Sequence, residues 1–474
     1  MGSRSWRNAG FGVEAARQST SRSTLTLGWK RCPADCAWID RPFGECRGWR
    51  PSALIVSVRF LIDLSRFIRA GDTVLVGQGT AEPRSLVEAL IEQRHALGGV
   101  TVFVGASFTG LFRPEHADAL RFVGFGGVGT SSILTRAGVL DVIPCHLAAL
   151  PELFARGCPK IDVTLTQVSP PDASGNHSCG LVADYIGAAM ASARVSLAEV
   201  NPNVPFSFGH PLIPAAAFSA IVTDDRPLIE VERRAPTDID RAIGAYVASI
   251  VPDRATLQVG VGATPDAVLG GLRDRRHLGI HTGLMTEALL DLVEAGAITN
   301  AHKGIDDGRS VTGALFGTTR LYRFADHNSS LAVAPVSYTH DARTLASLRC
   351  FHAVNAAIEV DLTGQSNGEL VAGSFVGTVG GHGSFARAAA LAPDGRSILM
   401  LASTAQQGKV SRIVSRLPDG VVSTARADAD LVVTEHGIAD LRGATESQRT
   451  ARMVAIADPR FREDLERAAK AAGR

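Results

Sequence analysis

Residues 60–90, FLIDLSRFIRAGDTVLVGQGTAEPRSLVEAL, and residues 238–269, DIDRAIGAYVASIVPDRATLQVGVGATPDAVL, read alike. Each predicts an amphipathic helix, a turn with Gly or Pro beside Asp, a short β-rich run, a V-G-x-G loop, and a new helix opening near a proline. Setting the loop at Gly77 on the loop at Gly260 aligns one element with the next, so the expected organisation is an internal duplication with each copy starting one α/β domain. Both loops also suit ligands. Glycine at a strand end lets backbone come close to a bound group, and a following helix N-terminus offers unpaired N–H groups to negative charge. In the second copy Thr264 is the expected N-cap, with Pro265 and Asp266 in the first turn. The plainer reading is that such loops only turn the chain tightly at the top of a parallel sheet.

Working outward, β-rich runs alternate with helical patterns at residues 100–104, 161–167, 194–200 and 220–223, then at 331–336, 356–362, 397–401 and 431–434. That alternation predicts an α/β protein of two similar domains, with mostly parallel sheets covered by helices. The charged, proline-containing stretch DDRPLIEVERRAPTD ahead of Asp238 marks the boundary, giving domains at 51–230 and 231–474. Residues 1–50 differ in kind: they hold all four tryptophans (Trp6, Trp29, Trp38, Trp49), three of seven cysteines and an excess of arginine. They read as a disordered extension. A transit peptide is the competing view, but acidic residues and the lack of a helical period count against it.

The balance of 48 Lys+Arg against 47 Asp+Glu, with 45% hydrophobic residues, excludes a polyelectrolyte partner such as nucleic acid. No apolar run reaches the roughly 18 residues needed to span a bilayer. The scattered Cys145, Cys158, Cys179 and Cys350 fit a reducing compartment and a cytoplasmic location. Cys32, Cys36 and Cys46 lack a fourth ligand, and His281, His302, His340, His382 and His436 lack metal-ligand spacing, so no metal is expected. Gly124, Gly126 and Gly129 satisfy G-x-G-x-x-G without the acidic partner a dinucleotide site needs, and read as a turn-rich loop. Gly364, Ser366 and Gly368 satisfy G-x-S-x-G, but the following NGELVAGSFVG reads as extended chain and not as the helix of a nucleophile elbow.

Three further loops are too particular to be generic: SPPDASGNHSCG (169–180), EVNPNVPFSFG (199–209) and VGGHGSF (379–385). With these, the chain from about Ser52 onward resembles the acetyl-CoA hydrolase/CoA-transferase family. The resemblance implies two facing α/β domains, commonly in a homodimer. It also implies coenzyme A as a substrate, with no permanently bound cofactor, alongside a short-chain acyl group and a small carboxylic acid. In that family a glutamate attacks the thioester, forming an acyl-glutamyl anhydride and then a glutamyl-CoA thioester, while backbone N–H groups hold each oxyanion. By resemblance, Gly260, Val261, Gly262, Ala263 and Thr264 form the loop that touches CoA and shapes the oxyanion site. Gly380, Gly381 and Gly383 form a second CoA loop, with Ser384 where aspartate is usual, and Gln406 follows the S-T-A segment where some members have lysine.

The departure lies in GIHTGLMTEALLDLVEAG, where the family's glutamate position is Gly283. If a helix begins at Thr282, Glu287 lies one turn on, about 6 Å away on the same face, and partly substitutes as base or nucleophile. The competing reading makes Glu287 a solvated helix residue paired locally. Three functions therefore stand: thioester hydrolysis or CoA transfer, CoA binding without turnover, and a serine-type hydrolase using Ser366.

Overall fold

The computed structural model describes residues 62–473 and the backbone of a short strand at Leu54–Val56. The expectations for residues 1–50 lie outside the described residues.

Two eight-stranded sheets carry the molecule. The first holds β1 (Leu54–Val56), β2 (Thr73–Val76), β3 (Val100–Val104), β4 (Leu120–Gly124), β5 (Leu140–Val142), β6 (Val163–Val168), β7 (Val195–Val200) and β8 (Ala220–Thr223). Their order is β1-β8-β7-β6-β2-β3-β4-β5, and every pair is parallel. The second holds β9 (Thr256–Val259), β10 (Gly279–Thr286), β11 (Ser310–Phe316), β12 (Leu331–Val333), β13 (Phe351–Ala356), β14 (Arg396–Met400), β15 (Leu431–Thr434) and β16 (Gly437–Asp440). Their order is β12-β11-β10-β9-β13-β14-β15-β16, parallel except for the final hairpin.

The two orders share one plan. In each sheet a central strand, β2 or β9, is followed by three strands filling one side and then three on the other, where an eighth strand, β1 in the first sheet and the antiparallel β16 in the second, forms the edge. The central strands are the ones the repeated sequences align, and Gly77 and Gly260 stand at their carboxyl ends. A sheet built this way reverses its winding beside the central strand, which is where open α/β sheets bind ligands. The strands are buried on both faces, as parallel sheets under helices require: β6, β9 and β11 have no exposed residue.

The opening helix is present only in the second copy. There, α2 (Asp238–Ile250) begins with a capping box between Thr237 and Asp240; α1 (Arg84–Gln93) follows the Gly77 loop in the first copy. In the first copy only a 3₁₀ turn, Leu64–Arg66, forms among the described residues. Asp63 accepts from Ser65 N at 3.1 Å, while Gln93 of α1 binds Leu64 N and Ile62 O at 2.9 and 2.8 Å. Those backbone groups are therefore withdrawn from any longer helix. The run at 356–362 also divides: β13 stops at Ala356, and Glu359–Asp361 joins a separate three-stranded sheet. Strand β12 ends before Pro335, which has no N–H to continue the ladder.

The 199–209 loop and the residues that directly follow the 169–180 loop form a seam between the sheets. Ala183 N donates to Gly313 O at 3.1 Å, Leu315 N to Leu181 O at 2.8 Å, and Val333 N to Phe208 O at 2.6 Å. The G-x-G-x-x-G stretch belongs to the same seam: Gly127 N donates to Gly377 O at 3.1 Å, and the Thr378 hydroxyl to Phe125 O at 2.6 Å. Among the described residues, no helix is long and apolar enough to cross a membrane.

Candidate functional site

The carboxyl ends of β9 and β10 frame the site. Their ladder pairs Thr256 with Gly279 and Leu257 with Ile280, after which the strands part. The Thr282 hydroxyl still reaches Val259 O at 3.4 Å, so Gly283 and the Gly260 loop occupy neighbouring strand ends. Gly260 has almost open surroundings, with Val354 O at 3.7 Å the nearest atom a Cβ would meet. Gly262, at φ +131°, adopts a backbone few side chains tolerate, and caps α3 (Ala263–Gly270). The N-cap is thus Gly262 and not Thr264: the glycine pivots the chain into the helix two residues early, and the Thr264 hydroxyl bonds the Asp240 carboxylate of α2.

Gly283 lies inside β10, with His340 and Phe385 against it. A Cβ there would stand 3.3 Å from His340 Cε1, 3.4 Å from Nε2 and 3.6 Å from Phe385 Cε2. The second glycine loop closes over the same imidazole, since a Cβ on Gly381 would fall 2.1 Å from His340 Nε2. The first half supplies His146, whose ring lies 2.7 Å from the place of a Gly383 Cβ, while Leu147 N donates to Gly380 O at 2.9 Å. Behind β10, Asp184 packs on Gly313, whose missing Cβ would meet Asp184 Oδ1 at 2.6 Å and Gly283 O at 3.0 Å. Small residues at 283, 313, 381 and 383 are therefore what allow the two halves and the loop to meet here.

These groups open on a cleft of about 540 Å³, lined among others by His146, His340, Gly383, Ser384, Arg387 and Thr424. That volume is in the range of small-ligand sites. It is flanked by α6 (His382–Leu391), which begins directly after Gly381. Burial pushes the imidazoles of His340 down to about 3 and of His382 to about 4, so both are neutral near pH 7.

Of the residues named from sequence, Gly383 lines this cleft, Gly380 and Gly381 border it, and Gly283 reaches it through His340. The segment from Gly260 through Val261 and Ala263 to Thr264 sits at the adjoining strand end. Gln406 lies apart, exposed at φ +51° in the hairpin joining Thr404–Ala405 to Val410–Ser411. His146 is not named from sequence, and His340 is weighed there only as a metal ligand and set aside. Nothing local marks them, because only folding brings them to glycines tens or hundreds of residues away.

The placement of Glu287 is corrected. Residues 279–286 are strand, and α4 (Glu287–Glu294) starts at Glu287 itself. At about 3.3 Å per residue, four positions along a strand put it about 13 Å from Gly283. Nor is it solvated: the residue is 5% exposed. Its Oε1 accepts from Thr318 N at 2.9 Å, the Thr318 hydroxyl at 2.8 Å and Leu321 N at 3.3 Å, and its Oε2 meets Arg320 at 2.8 Å. The beginning of α5 (Thr319–Ala325) is where that carboxylate is spent. Ser366 is fully buried in the two-residue strand Ser366–Asn367, with no helix after it. Among the described residues, no group of three or more His, Cys, Asp or Glu is placed to hold a metal ion.

The chain matches the acetyl-CoA hydrolase/transferase N-terminal domain over residues 61–231 and the corresponding C-terminal domain over residues 317–469. It is 36% identical over 400 residues to the 4-hydroxybutyrate coenzyme A transferase of Clostridium kluyveri, covering 83% of this chain and 92% of that one. It is 32% identical over 411 residues to the succinyl-CoA:cyclohexane-1-carboxylate CoA transferase of Geobacter metallireducens, covering 86% and 94%. The crystal structure of RipA from Yersinia pestis superposes with a TM-score of 0.82 at 33% identity, over 86% of this chain and 96% of that one. On this agreement of sequence along both halves with the fold that carries it, the chain belongs to the acetyl-CoA hydrolase/transferase family.

Proposed function

We infer that this protein cleaves short-chain acyl-CoA thioesters, passing the acyl group to water or exchanging CoA with a small carboxylate. The observation that carries this reading is the cleft lined by His340, where the Gly380–Gly383 loop and the rings of His146 and His340 meet and His340 stands against Gly283. The loops Gly260–Thr264 and Gly380–Gly383 are read as holding CoA and the thioester oxyanion through backbone N–H groups. With glycine in the nucleophile's place no acyl-glutamyl anhydride forms at residue 283, which favours water as acceptor. Glu287 is assigned to holding the start of α5, since both its oxygens are already engaged. The same reading takes the protein as a cytoplasmic homodimer, which sedimentation and cell fractionation test.

A second reading, CoA binding without turnover, is favoured by the same glycine. Thiol release from acetyl-, propionyl- and butyryl-CoA, with and without excess acetate, separates the two. Release without acceptor establishes hydrolysis, and release only with acetate establishes transfer. No release, together with CoA binding measured by calorimetry, refutes an enzyme of this kind.

A further inference from the structure

The space vacated at residue 283 is not empty of chemistry, because the imidazole of His340 faces it. That ring is held on three sides. It tilts against Phe385 with centroids 4.4 Å apart, Nε2 lies over Gly381, and Nδ1 is 2.8 Å from the Thr339 hydroxyl. The Thr339 hydroxyl has one proton, and its other neighbour, Pro335 O at 3.4 Å, can only accept. Pro335 O already accepts from Tyr338 N and Thr339 N at 2.9 and 3.0 Å, so these contacts admit both tautomers; in the one with Nδ1–H donating to the Thr339 hydroxyl, Nε2 keeps a free lone pair. Nε2 also lies 3.4 Å from the position of a Gly283 Cβ, on the edge of a cleft that His340 lines.

We propose that His340 is a catalytic general base of this chain, activating water for attack on the thioester in the space where a residue-283 side chain would stand. This rests on the thioester-cleaving reading above. Nε2 takes a proton as the water oxygen bonds to the thioester carbonyl carbon. The C–S bond then breaks with its electron pair on sulfur, and the imidazolium returns the proton to the CoA thiolate. The products are the carboxylic acid and CoA thiol, with no covalent enzyme intermediate. Burial keeps the ring neutral before the reaction, so Nε2 starts unprotonated. A glutamate and a water-activating imidazole are alternatives at this spot, since a side chain at 283 fills the space the water needs.

The test uses the full chain with acetyl-CoA, the variants His340→Asn and His340→Gln, calorimetric CoA binding, and kcat in H₂O and D₂O. The expected result is a fall in kcat of about 100-fold or more with KM within about threefold, as for loss of a general base. CoA affinity should be unchanged, and the wild type should show a normal solvent isotope effect. Wild-type hydrolysis without that isotope effect, or variants that hydrolyse like wild type, overturns His340 as the base but leaves thioester cleavage standing. Variants that lose CoA affinity in step with kcat also overturn it, in favour of a structural role. Transfer to acetate without hydrolysis refutes water activation alone, whereas a wild type that binds CoA and releases no thiol removes the enzymatic reading as well.

Discussion

Replacing Glu287 with alanine separates its two assignments. The carboxylate is buried, and it accepts from two backbone N–H groups and one hydroxyl at the start of α5. Removing it strands the two N–H donors, at about 1–1.5 kcal/mol each. The one buried methylene that is lost, Cγ, adds about 0.8 kcal/mol. The ion pair adds little, because Arg320 is 42% exposed and keeps Asp291 and Glu294 as partners, so about 0.5 kcal/mol is a fair figure for it. The sum is a loss of about 3–4 kcal/mol for Glu287→Ala. Glu287→Gln, which retains an acceptor oxygen and the packing, should lose about 1 kcal/mol. Urea unfolding gives these differences provided the m-values agree. Thiol release per folded molecule should match wild type in both. Glu287→Ala with stability within 1 kcal/mol of wild type and no thiol release would refute the reasoning and return the carboxylate to the chemistry.

Gly283→Glu should be tolerated, because β10 is regular strand there and the nearest atoms need give only a few tenths of an ångström; the cost is about 1–3 kcal/mol. Transfer to acetate with ping-pong kinetics should appear and hydrolysis should fall, which acetate-dependence of thiol release checks. Gly381→Ala puts a Cβ 2.1 Å from His340 Nε2 and so should displace the ring and cut turnover at least 100-fold, while CD-monitored melting still shows a folded protein. Asp184 accepts from Gln78 Nε2 at 2.5 Å, and burial raises its carboxyl to about 7. The folded chain therefore holds this proton between about pH 4 and 7 while the unfolded chain has released it. Stability from this group is full below pH 4 and lost as pH rises to 7, by about 4 kcal/mol at 1.4 kcal/mol per unit. Asp184→Asn should flatten that slope in urea titrations at pH 5 and pH 7, and an unchanged slope would contradict it.

The alternation of β-rich runs and helical patterns was legible because parallel strands buried on both faces are mostly apolar and β-branched. Residues 100–104, 220–223 and 431–434 carry that signature with one threonine each, and all three are strands. The repeated V-G-x-G stretches likewise marked a strand end in each half, since turn chemistry is local, while the central place of those strands came from the sheet order. The opening helix of the first copy was misjudged for the opposite reason: Gln93, 30 residues away, takes the backbone groups that helix would have needed.

Local sequence determined the α/β class, the duplicated plan, the glycine loops and the vacancy at residue 283, because each depends on residues near one another in the chain. Tertiary structure alone decided where Glu287 points and what stands beside Gly283. A helix beginning at Thr282 and a strand ending at Thr286 are both compatible with GIHTGLMTEALL, and only pairing with β9 and β11 selects the strand. His340 and Phe385 reach Gly283 from 57 and 102 positions further along the chain, through packing that no periodicity records.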